Sequence, residues 1–463
     1  MRQPCLPIKG VCTSAGRLRT ATIPRRIGLA LRVVLFLSIV LTSQAAGRPS
    51  RRATQPNVIL VVGDGLRSAD LDSRSLLGLT NLSTVLREGF RFTDAYSGSP
   101  APAAARASLL TGIPPEQARI RSAIQEPLVS EEVTLGEMAR SVGHSCAYLG
   151  IWGLGREGTA GMPTQKGFAD FLGMFDLRHG TNARTPFLWR NEVPFKLPPL
   201  ASASGDLSSA WLLRAATNYI HGREETAFLM VLSPGLPGGT NQPPALRALQ
   251  LARLDAQIGL LTDGLRHRQL DGDTLLILAG VPAVGDTPSV TRPSGASSRS
   301  PRARGLDDAG LRVPLVFWRP GIIRPGQTNL PVGLWEVAPT ILDILQGQRP
   351  SRVTGRSLLP WLVVSETEAP TNRVVLQWEQ VEEPRAVAAR LGRWKGFRAG
   401  PTASIEVFDL DADPGETKDV AEQHPEVVRE FTDLFKGWDR PWSAPADRSS
   451  EDPAATGDQL PTR

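Results

Sequence analysis

Four short apolar runs dominate the hydrophobic pattern of the chain. They contain few polar residues and occupy positions 56–62, 227–232, 274–279 and 313–318. Continuous apolar runs of this length are typical of strands that are buried on both faces of a parallel sheet. We therefore predict that these four runs form the central strands of one large domain.

Between these runs, the apolar residues follow the spacing of amphipathic helices. One such helix is predicted between residues 245 and 267, where apolar positions recur at spacings of three and four: Leu251, Leu254, Ile258, Leu261 and Leu265. A second helix is predicted after the Thr134/Glu137 capping box, and it ends at Gly143. Alternation of buried strands and helices predicts an α/β fold, with a large, mostly parallel sheet flanked by helices on both faces.

The pattern changes in the last quarter of the chain. Four short strand-like segments lie between residues 370 and 410, and a helix is predicted from Pro425 to about Trp438. These segments predict a small C-terminal α+β subdomain, with an antiparallel sheet covered by one helix, over residues 370–440. The main domain is predicted over residues 56–365. The Pro-, Ser- and Arg-rich segment 283–305 is predicted to be a mobile loop, and the polar residues 441–463 a disordered tail.

The N-terminal residues have the composition of an export signal. Residues 1–46 hold seven basic residues and no acidic one, followed by the apolar run VVLFLSIVL at 33–41 and the small residues before Gly47. We predict a signal peptide or N-terminal anchor at 1–46, cleaved near Ala45 or Ala46, and a polar linker at 47–55. The protein is then exported to a periplasmic or extracellular location, and it contacts a membrane only if this segment stays attached.

Charge and cysteine content exclude several classes of function. The seven basic residues of the N-terminal segment leave 45 basic and 46 acidic residues in the remainder, and no basic run is interleaved with aromatic residues. This balance gives no support for nucleic-acid binding. Cys146 is the one cysteine beyond the N-terminal segment and is interpreted as a small buried residue, and the five histidines show no spacing typical of a zinc site.

Seven segments, in order along the chain, resemble the sulfatase family of the alkaline phosphatase superfamily. The run PNVILVVGDGL resembles the opening strand of the family, and RASLLTG resembles the end of its C/S-x-P-S-R-x-x-L-T-G signature. The others are GHSCAYLGIWGLG, DTLLILAG, GLRVPLVFWRPG, VAPTILDIL with TGRSLLPWL, and FDLDADPGETKDVAEQHPEVV. The resemblance covers nearly the whole chain after the N-terminal segment. It implies an alkaline phosphatase-like fold, and a site built from a formylglycine nucleophile, a divalent cation (usually calcium) and Lys and His side chains.

Carried over position by position, the resemblance fails at most of the chemical positions. The nucleophile position is Pro102, although the nearby motif arginine is kept as Arg106. Of the opening pair of metal-binding aspartates, Asp64 is kept and the second is replaced by Gly65. The later Asp-Asn metal pair is replaced by Val281 and Pro282. The Lys and His positions of the family correspond to four further places: Ile151, Gly153, Gly235 and the vicinity of Ala303.

These replacements predict that no cofactor is bound. A hard divalent cation needs about six oxygen ligands, several of them anionic. Asp64 remains only as a remnant of that set, so Ca²⁺ is expected only if substitute residues restore the site. Asp286 is one candidate substitute. We interpret Arg106 and Asp64 as an ion pair, with binding of an anionic ligand by these two residues as the alternative.

Two hypotheses about function follow. The first is an exported pseudo-sulfatase, without sulfuric ester hydrolase activity, that binds a sulfated or other anionic ligand. The second is an active sulfatase or phosphoesterase that uses substitute residues, among which Ser97, Ser99 and Ser108 are the candidate nucleophiles. No His or Lys lies close to these serines in the sequence, which favours the first hypothesis.

Overall fold

The structure is a computed structural model of the chain. It describes residues 55–72, 75–120, 126–180, 185–198, 207–223, 226–235, 243–282, 305–363, 375–380 and 385–438. The predicted export segment at 1–46, most of the linker and of the loop at 283–305, and the tail at 441–463 lie outside the described residues, as do Ala303 and Asp286.

Eleven of the described strands form one large sheet. Along the chain they are β1 Asn57–Asp64, β2 Phe90–Tyr96, β3 Ser145–Ile151, β4 Asp170–Met174, β5 Phe187–Arg190, β6 Val193–Lys196, β7 Phe228–Ser233, β8 Thr274–Val281, β9 Arg312–Trp318, β10 Gly326–Thr328 and β11 Val332–Gly333. Their order across the sheet is β10-β2-β9-β8-β1-β7-β3-β4-β5-β6, and β11 also pairs with β2. The four predicted apolar runs are therefore β1, β7, β8 and β9, which lie next to one another at the centre.

The central strands are mostly parallel. Strand β1 pairs in parallel with β7 and with β8, and β3 pairs in parallel with β7 and β4. Antiparallel pairing occurs where β9 joins β8 and β2, and in the pairs β4 with β5 and β5 with β6. Every residue of β1 and of β8 is buried, as expected for strands that are covered on both faces.

The described helices of the main domain form two groups. Their bounds are α1 Thr80–Glu88, α2 Pro102–Thr111, α3 Leu135–Ser141, α4 Leu177–Gly180, α5 Leu207–His221, α6 Pro244–His267, α7 Asp308–Leu311, α8 Val337–Ile344 and α9 Leu359–Val363. Helix α6 contacts both α1 and α5, and α2, α3, α8 and α9 form the second group. The five apolar positions predicted for the helix at 245–267 are all buried in α6.

The C-terminal segment forms a second, separate sheet. Its antiparallel strands are β12 Val375–Gln380, β13 Ala386–Leu391, β14 Trp394–Arg398 and β15 Ile405–Asp409, in that order. Helix α10, Pro425–Phe435, packs on this sheet through Phe431 and Phe435. A large mostly parallel sheet with a small antiparallel sheet beside it confirms the predicted fold class.

The two sheets meet through a mixed apolar and charged interface. Tyr96 of β2 and Trp335 belong to the same buried cluster as Trp378 and Phe408 of the small sheet. The indole Nε1 of Trp378 donates a hydrogen bond of 2.8 Å to the carbonyl of Ser97. The small sheet therefore holds the chain just after β2, where it approaches α2.

None of the described helices is long and apolar enough to cross a lipid bilayer.

Candidate functional site

The candidate site lies where four neighbouring strands of the large sheet end. Strands β1, β7 and β8 end at Asp64, Ser233 and Val281, and β3 ends at Ile151. These strands are parallel, so their carboxyl ends share one edge of the sheet, the position at which open α/β sheets bind ligands. Asp64 is directly opposite Val281 in the pairing of β1 with β8.

Helix α2 begins beside this edge, and its sequence explains its start and its end. Pro102 occupies the first helical position, where a missing N–H costs nothing and a fixed φ suits the helix. Gly112 closes the helix with a φ of +69°, a conformation that favours glycine. The stretch SPAPAAARASLLTG is therefore a loop followed by a helix. Pro102, the position that the resemblance assigns to the nucleophile, is the first residue of that helix, and a proline side chain has no group to act as a nucleophile.

One turn into α2, Arg106 forms an ion pair with Asp64. The contact joins Nη2 of Arg106 to Oδ1 of Asp64, and the second oxygen of Asp64, Oδ2, accepts a hydrogen bond of 2.9 Å from the hydroxyl of Ser233. Arg106 is 1% exposed and Asp64 is 6% exposed. We call these three residues the sheet-edge cluster. The ion pair predicted from the sequence is confirmed, and the charge of each partner is balanced by the other.

The remaining contacts of Arg106 keep it inside the protein. Its Nη1 lies 3.4 Å from the carbonyl oxygen of Pro102, and its Nε has no hydrogen-bond partner among the described residues. Burial lowers the pKa of Arg106, and the neighbouring Tyr148 counteracts that shift. Because an arginine pKa starts above 12, the guanidinium still carries its charge at neutral pH.

Tyr148, on β3, is the polar neighbour of this cluster. Burial raises the pKa of its phenol, and the adjacent Arg106 opposes that rise, so Tyr148 is neutral at physiological pH. Its hydroxyl donates a hydrogen bond of 2.6 Å to the carbonyl of Ile151. The ring packs edge to face on Trp152, whose Nε1 donates to the carbonyl of Gly161. These contacts give Trp152 a packing role.

Apolar side chains fill the space around the positions that would carry the cationic side chains. Gly153 has a φ of +75°, and a Cβ placed there would lie 2.7 Å from Cδ2 of Leu177. Gly235 has a φ of +73°, and a Cβ there would lie 3.1 Å from Cδ1 of Ile151. Both backbones therefore have a conformation that histidine rarely adopts, and their neighbours occupy the volume that its ring would need.

The residues present do not fit a divalent cation. The backbone of Gly65 has a φ of +71°, and its N–H donates a hydrogen bond of 2.6 Å to the carbonyl of Val281. Neither Gly65 nor Val281 nor Pro282 has a side-chain oxygen. Across the part of the chain that the structure describes, no three His, Cys, Asp or Glu side chains are grouped so that they could hold a metal ion. Asp64, the carboxylate kept at the position that the resemblance assigns to a metal ligand, already has Arg106 as its counter-charge.

The candidate substitute nucleophiles are engaged with the backbone. The hydroxyl of Ser97 donates to the carbonyl of Ser99, and the hydroxyl of Ser99 accepts from the N–H of Ala101. Ser108 donates 3.0 Å to the carbonyl of Ala105 within α2. All three serines are buried. These contacts are typical of loop and helix structure and do not activate a hydroxyl.

Cys146 and the histidines have ordinary environments. Burial raises the pKa of the Cys146 thiol to about 12, so it is not a reactive thiolate. His267 ends α6 and His424 precedes α10. The ring of His144 is buried 3.0 Å from the carbonyl of Pro56, at the opposite end of β1 from Asp64.

Comparison with known proteins identifies the family. The model of the family described as Sulfatase matches residues 56–347, which is more than half of the chain. The chain belongs to the sulfatase family. Among its curated relatives, the arylsulfatase A of Bos taurus is 26% identical over 449 residues, covering 83% of this chain and 87% of that protein. The N-acetylgalactosamine-6-O-sulfatase of Bacteroides thetaiotaomicron is 22% identical, covering 83% and 93%.

The solved structures agree on the fold of this sulfatase-family chain. The crystal structure of Ps i-CgsB in complex with k-i-k-neocarrahexaose superimposes with a TM-score of 0.69 at 18% identity, covering 85% of this chain and 94% of that one. At this level of identity the likeness shows the shared fold alone. The alkaline phosphatase-like architecture expected from the sequence is therefore confirmed.

Three residues of the site were not anticipated from the sequence of this sulfatase-family chain. Ser233 ends a central strand, and its position at the shared sheet edge was a signal that could have identified it. Tyr148 and Leu177 gave no comparable signal. Their closeness to Arg106 and Gly153 depends on the order of the strands and on the path of the chain between β4 and β5.

Proposed function

We propose that this sulfatase-family protein does not hydrolyse sulfate esters. The observation that carries the proposal is the sheet-edge cluster, in which Arg106 and Asp64 pair with each other at the place where the family binds its cation and ester. Pro102 at the head of α2 supports the same conclusion, because it has no hydroxyl or thiol to become a nucleophile.

The physical argument concerns charge in the transition state. Hydrolysis of a sulfate ester needs an activated nucleophile, and positive groups directed at the oxygens on which negative charge develops. At this edge Arg106 is buried and neutralised by Asp64, and Arg247, whose Nη2 donates to the carbonyl of Gly65, is paired with Asp70. Ile151, Gly153 and Gly235 supply no charge at the positions where the family has cationic side chains.

The alternative is an ester hydrolase that uses substitute residues. The assay that separates the two uses the purified protein with an aryl sulfate and an aryl phosphate, in calcium and in a chelator, with Asp64→Ala as the matched variant. We expect no turnover above background for either protein. Turnover by the wild type that disappears in Asp64→Ala would overturn the proposal and establish the alternative.

The ligand class that we propose is a sulfated carbohydrate or a related anion. Support comes from the names of relatives, which include an N-acetylgalactosamine-6-O-sulfatase and an ulvan-active sulfatase, and from a similar fold solved with D-glucosamine-2-N,6-O-disulfate. In the wild type Arg106 is held by Asp64, and it is released for such a ligand only when Asp64 is replaced. Asp64→Asn is therefore expected to bind a sulfated oligosaccharide more tightly than the wild type does, as measured by calorimetry. Equal affinity of Asp64→Asn and Arg106→Met for the sulfated oligosaccharide would show that Arg106 does not contact this ligand.

We also propose that the protein is exported by means of residues 1–46. The seven basic residues, the apolar run at 33–41 and the Ala pair at 45–46 support this proposal. N-terminal sequencing of the protein recovered from outside the cytoplasm tests it. A first residue at position 46 or 47 is expected, and an intact N-terminus on cytoplasmic protein would contradict it.

A further inference from the structure

The sheet-edge cluster contains one negative and one positive charge, and both are almost completely buried. Asp64 lies at the end of β1, Ser233 at the end of β7 and Arg106 in α2, so the cluster joins three separate elements. The carboxylate has a partner on each oxygen, Arg106 on Oδ1 and Ser233 on Oδ2. Tyr148, which lies beside Arg106, is a neutral phenol.

A buried carboxylate without a counter-charge is strongly destabilising. In a chain with this fold, two arrangements can supply that counter-charge: a bound cation held by several oxygens, or a positive side chain of the protein itself. The oxygens needed for the first arrangement are missing at Gly65, Val281 and Pro282. The second arrangement is the one seen here, since the guanidinium of Arg106 contacts Asp64 directly.

We propose that Arg106 is the permanent internal counterion of Asp64, and that the former metal position of this fold is a structural ion pair that fastens α2 to the large sheet. The inference goes beyond the absence of hydrolysis, because it assigns the cluster a role in stability and predicts that the folded protein does not respond to calcium. The inference is tested by thermal unfolding, whereas the proposed function is tested by ester turnover. Each can therefore be contradicted without the other.

The test is a double-mutant cycle on the full chain, followed by thermal unfolding. Asp64→Asn and Arg106→Met each leave one buried charge unpaired, and each is expected to lower Tm by about 5 °C or more. The double variant removes both charges, and its Tm is expected to lie closer to that of the wild type than either single variant does. Arg106→Lys keeps the charge and is expected to retain more stability than Arg106→Met.

A matched control comes from an exposed ion pair of the same chemistry. Arg223 and Asp170 lie 2.8 Å apart, with side chains that are 34% and 52% exposed. The variants Arg223→Met and Asp170→Asn are expected to shift Tm by no more than about 1 °C each and to be additive. The two cycles share the residue types and differ in burial and in the contact of Arg223 with the ring of Tyr219, a contact that Asp170→Asn leaves in place.

The calcium arm compares the wild type in millimolar calcium and in a chelator. Equal Tm values in the two conditions are expected, because the counter-charge of Asp64 is already present. The proposal is overturned if calcium raises the Tm of the wild type by several degrees. It is also overturned if the losses in the Asp64 and Arg106 cycle are additive, or if Arg106→Met is as stable as the wild type.

Discussion

This protein has two buried groups of charged side chains, and they differ in how many hydrogen-bond and ion-pair partners their charged atoms have. The sheet-edge cluster holds a single pair, and the Nε of Arg106 has no hydrogen-bond partner among the described residues. The second group, which we call the interface cluster, joins the small sheet to the large one and consists of Tyr96, Asp308, Lys395 and Glu416. There, the ammonium of Lys395 lies 3.0 Å from Asp308 and 2.8 Å from Glu416.

The charged atoms of the interface cluster have hydrogen-bond and ion-pair partners on several elements. The second oxygen of Asp308 accepts 2.9 Å from the hydroxyl of Tyr96, and the backbone N–H of Asp308 donates 2.6 Å to Glu416. Lys395 also faces the ring of Trp378, 5.9 Å from its centroid. Such dense pairing is what a purely structural group of buried charges needs. The sheet-edge cluster has a sparser set of contacts, and it lies at the edge where the sequence resemblance places the chemistry of the family. Under our proposal it is a structural ion pair.

The interface cluster is expected to give the largest effect on stability. Lys395→Met would leave two buried carboxylates without their shared cation, and we expect a loss of about 3–5 kcal/mol in the free energy of unfolding. Lys436→Met, in an exposed pair with Asp433, is the control and should cost below about 0.5 kcal/mol. Denaturant unfolding measures both. Equally small losses in the free energy of unfolding for the two variants would show that the buried charges of the interface cluster do not stabilise the fold.

The next test introduces a histidine at the sheet edge, at a position where the resemblance assigns a cationic side chain to the family. Gly153→His combines a backbone at φ +75° with a Cβ 2.7 Å from Leu177, and it is expected to destabilise the protein by about 2–4 kcal/mol. Gly158 has a similar φ of +77° but no atom within 4 Å of its Cβ position. Gly158→His should therefore cost only the backbone strain, about 1 kcal/mol. If the two variants lose the same stability, the space beside Gly153 is open rather than filled.

The pH dependence of stability distinguishes the two carboxylates of the interface cluster, Asp308 and Glu416. Its expected effect on stability is smaller than those of the substitutions above. Burial raises the pKa of Asp308, but Lys395, Arg390 and the hydrogen bond from Tyr96 together outweigh burial, and the net pKa lies below its ordinary value of 3.8. Asp308 therefore contributes stability above about pH 4, and that contribution is lost as the pH falls through the folded-state pKa. For Glu416, burial raises the pKa above 4.5, so its ionised form carries a penalty that is relieved on acidification.

The measurement is the Tm of the wild type and of Asp308→Asn between pH 7 and pH 3. The difference between the two proteins is expected to be largest near neutral pH and to shrink toward pH 3. A difference that stays constant with pH would show that the charge of Asp308 contributes nothing to the stability of the folded state.

The sequence predicted the fold well because the relevant signals are local. Runs such as 274–279 and the spacing of residues 251–265 depend only on which faces are buried, and the structure confirms both. The pairing of Asp64 with Arg106 was predictable as well, since one residue ends a central strand and the other lies in the helix of the signature. These features need only the order of residues along the chain.

The details of the site and of the interface cluster depend on long-range packing. Ser233 lies 169 positions from Asp64 along the chain, and Leu177 reaches Gly153 through the path of the chain after β4. Lys395 is a fully buried lysine, which its position in a short polar strand did not indicate. Charged residues are mostly exposed, so a buried one is identified only when its partners are known.

The central claim is that Asp64 and Arg106 pair with each other and bind no ion, and it is tested most directly by crystal structures of the protein grown in calcium and, separately, in sulfate. We expect direct contact between the two side chains, with no ion bonded to either. Calcium coordinated by Asp64, or sulfate bound by an Arg106 that has moved away from Asp64, would contradict the account.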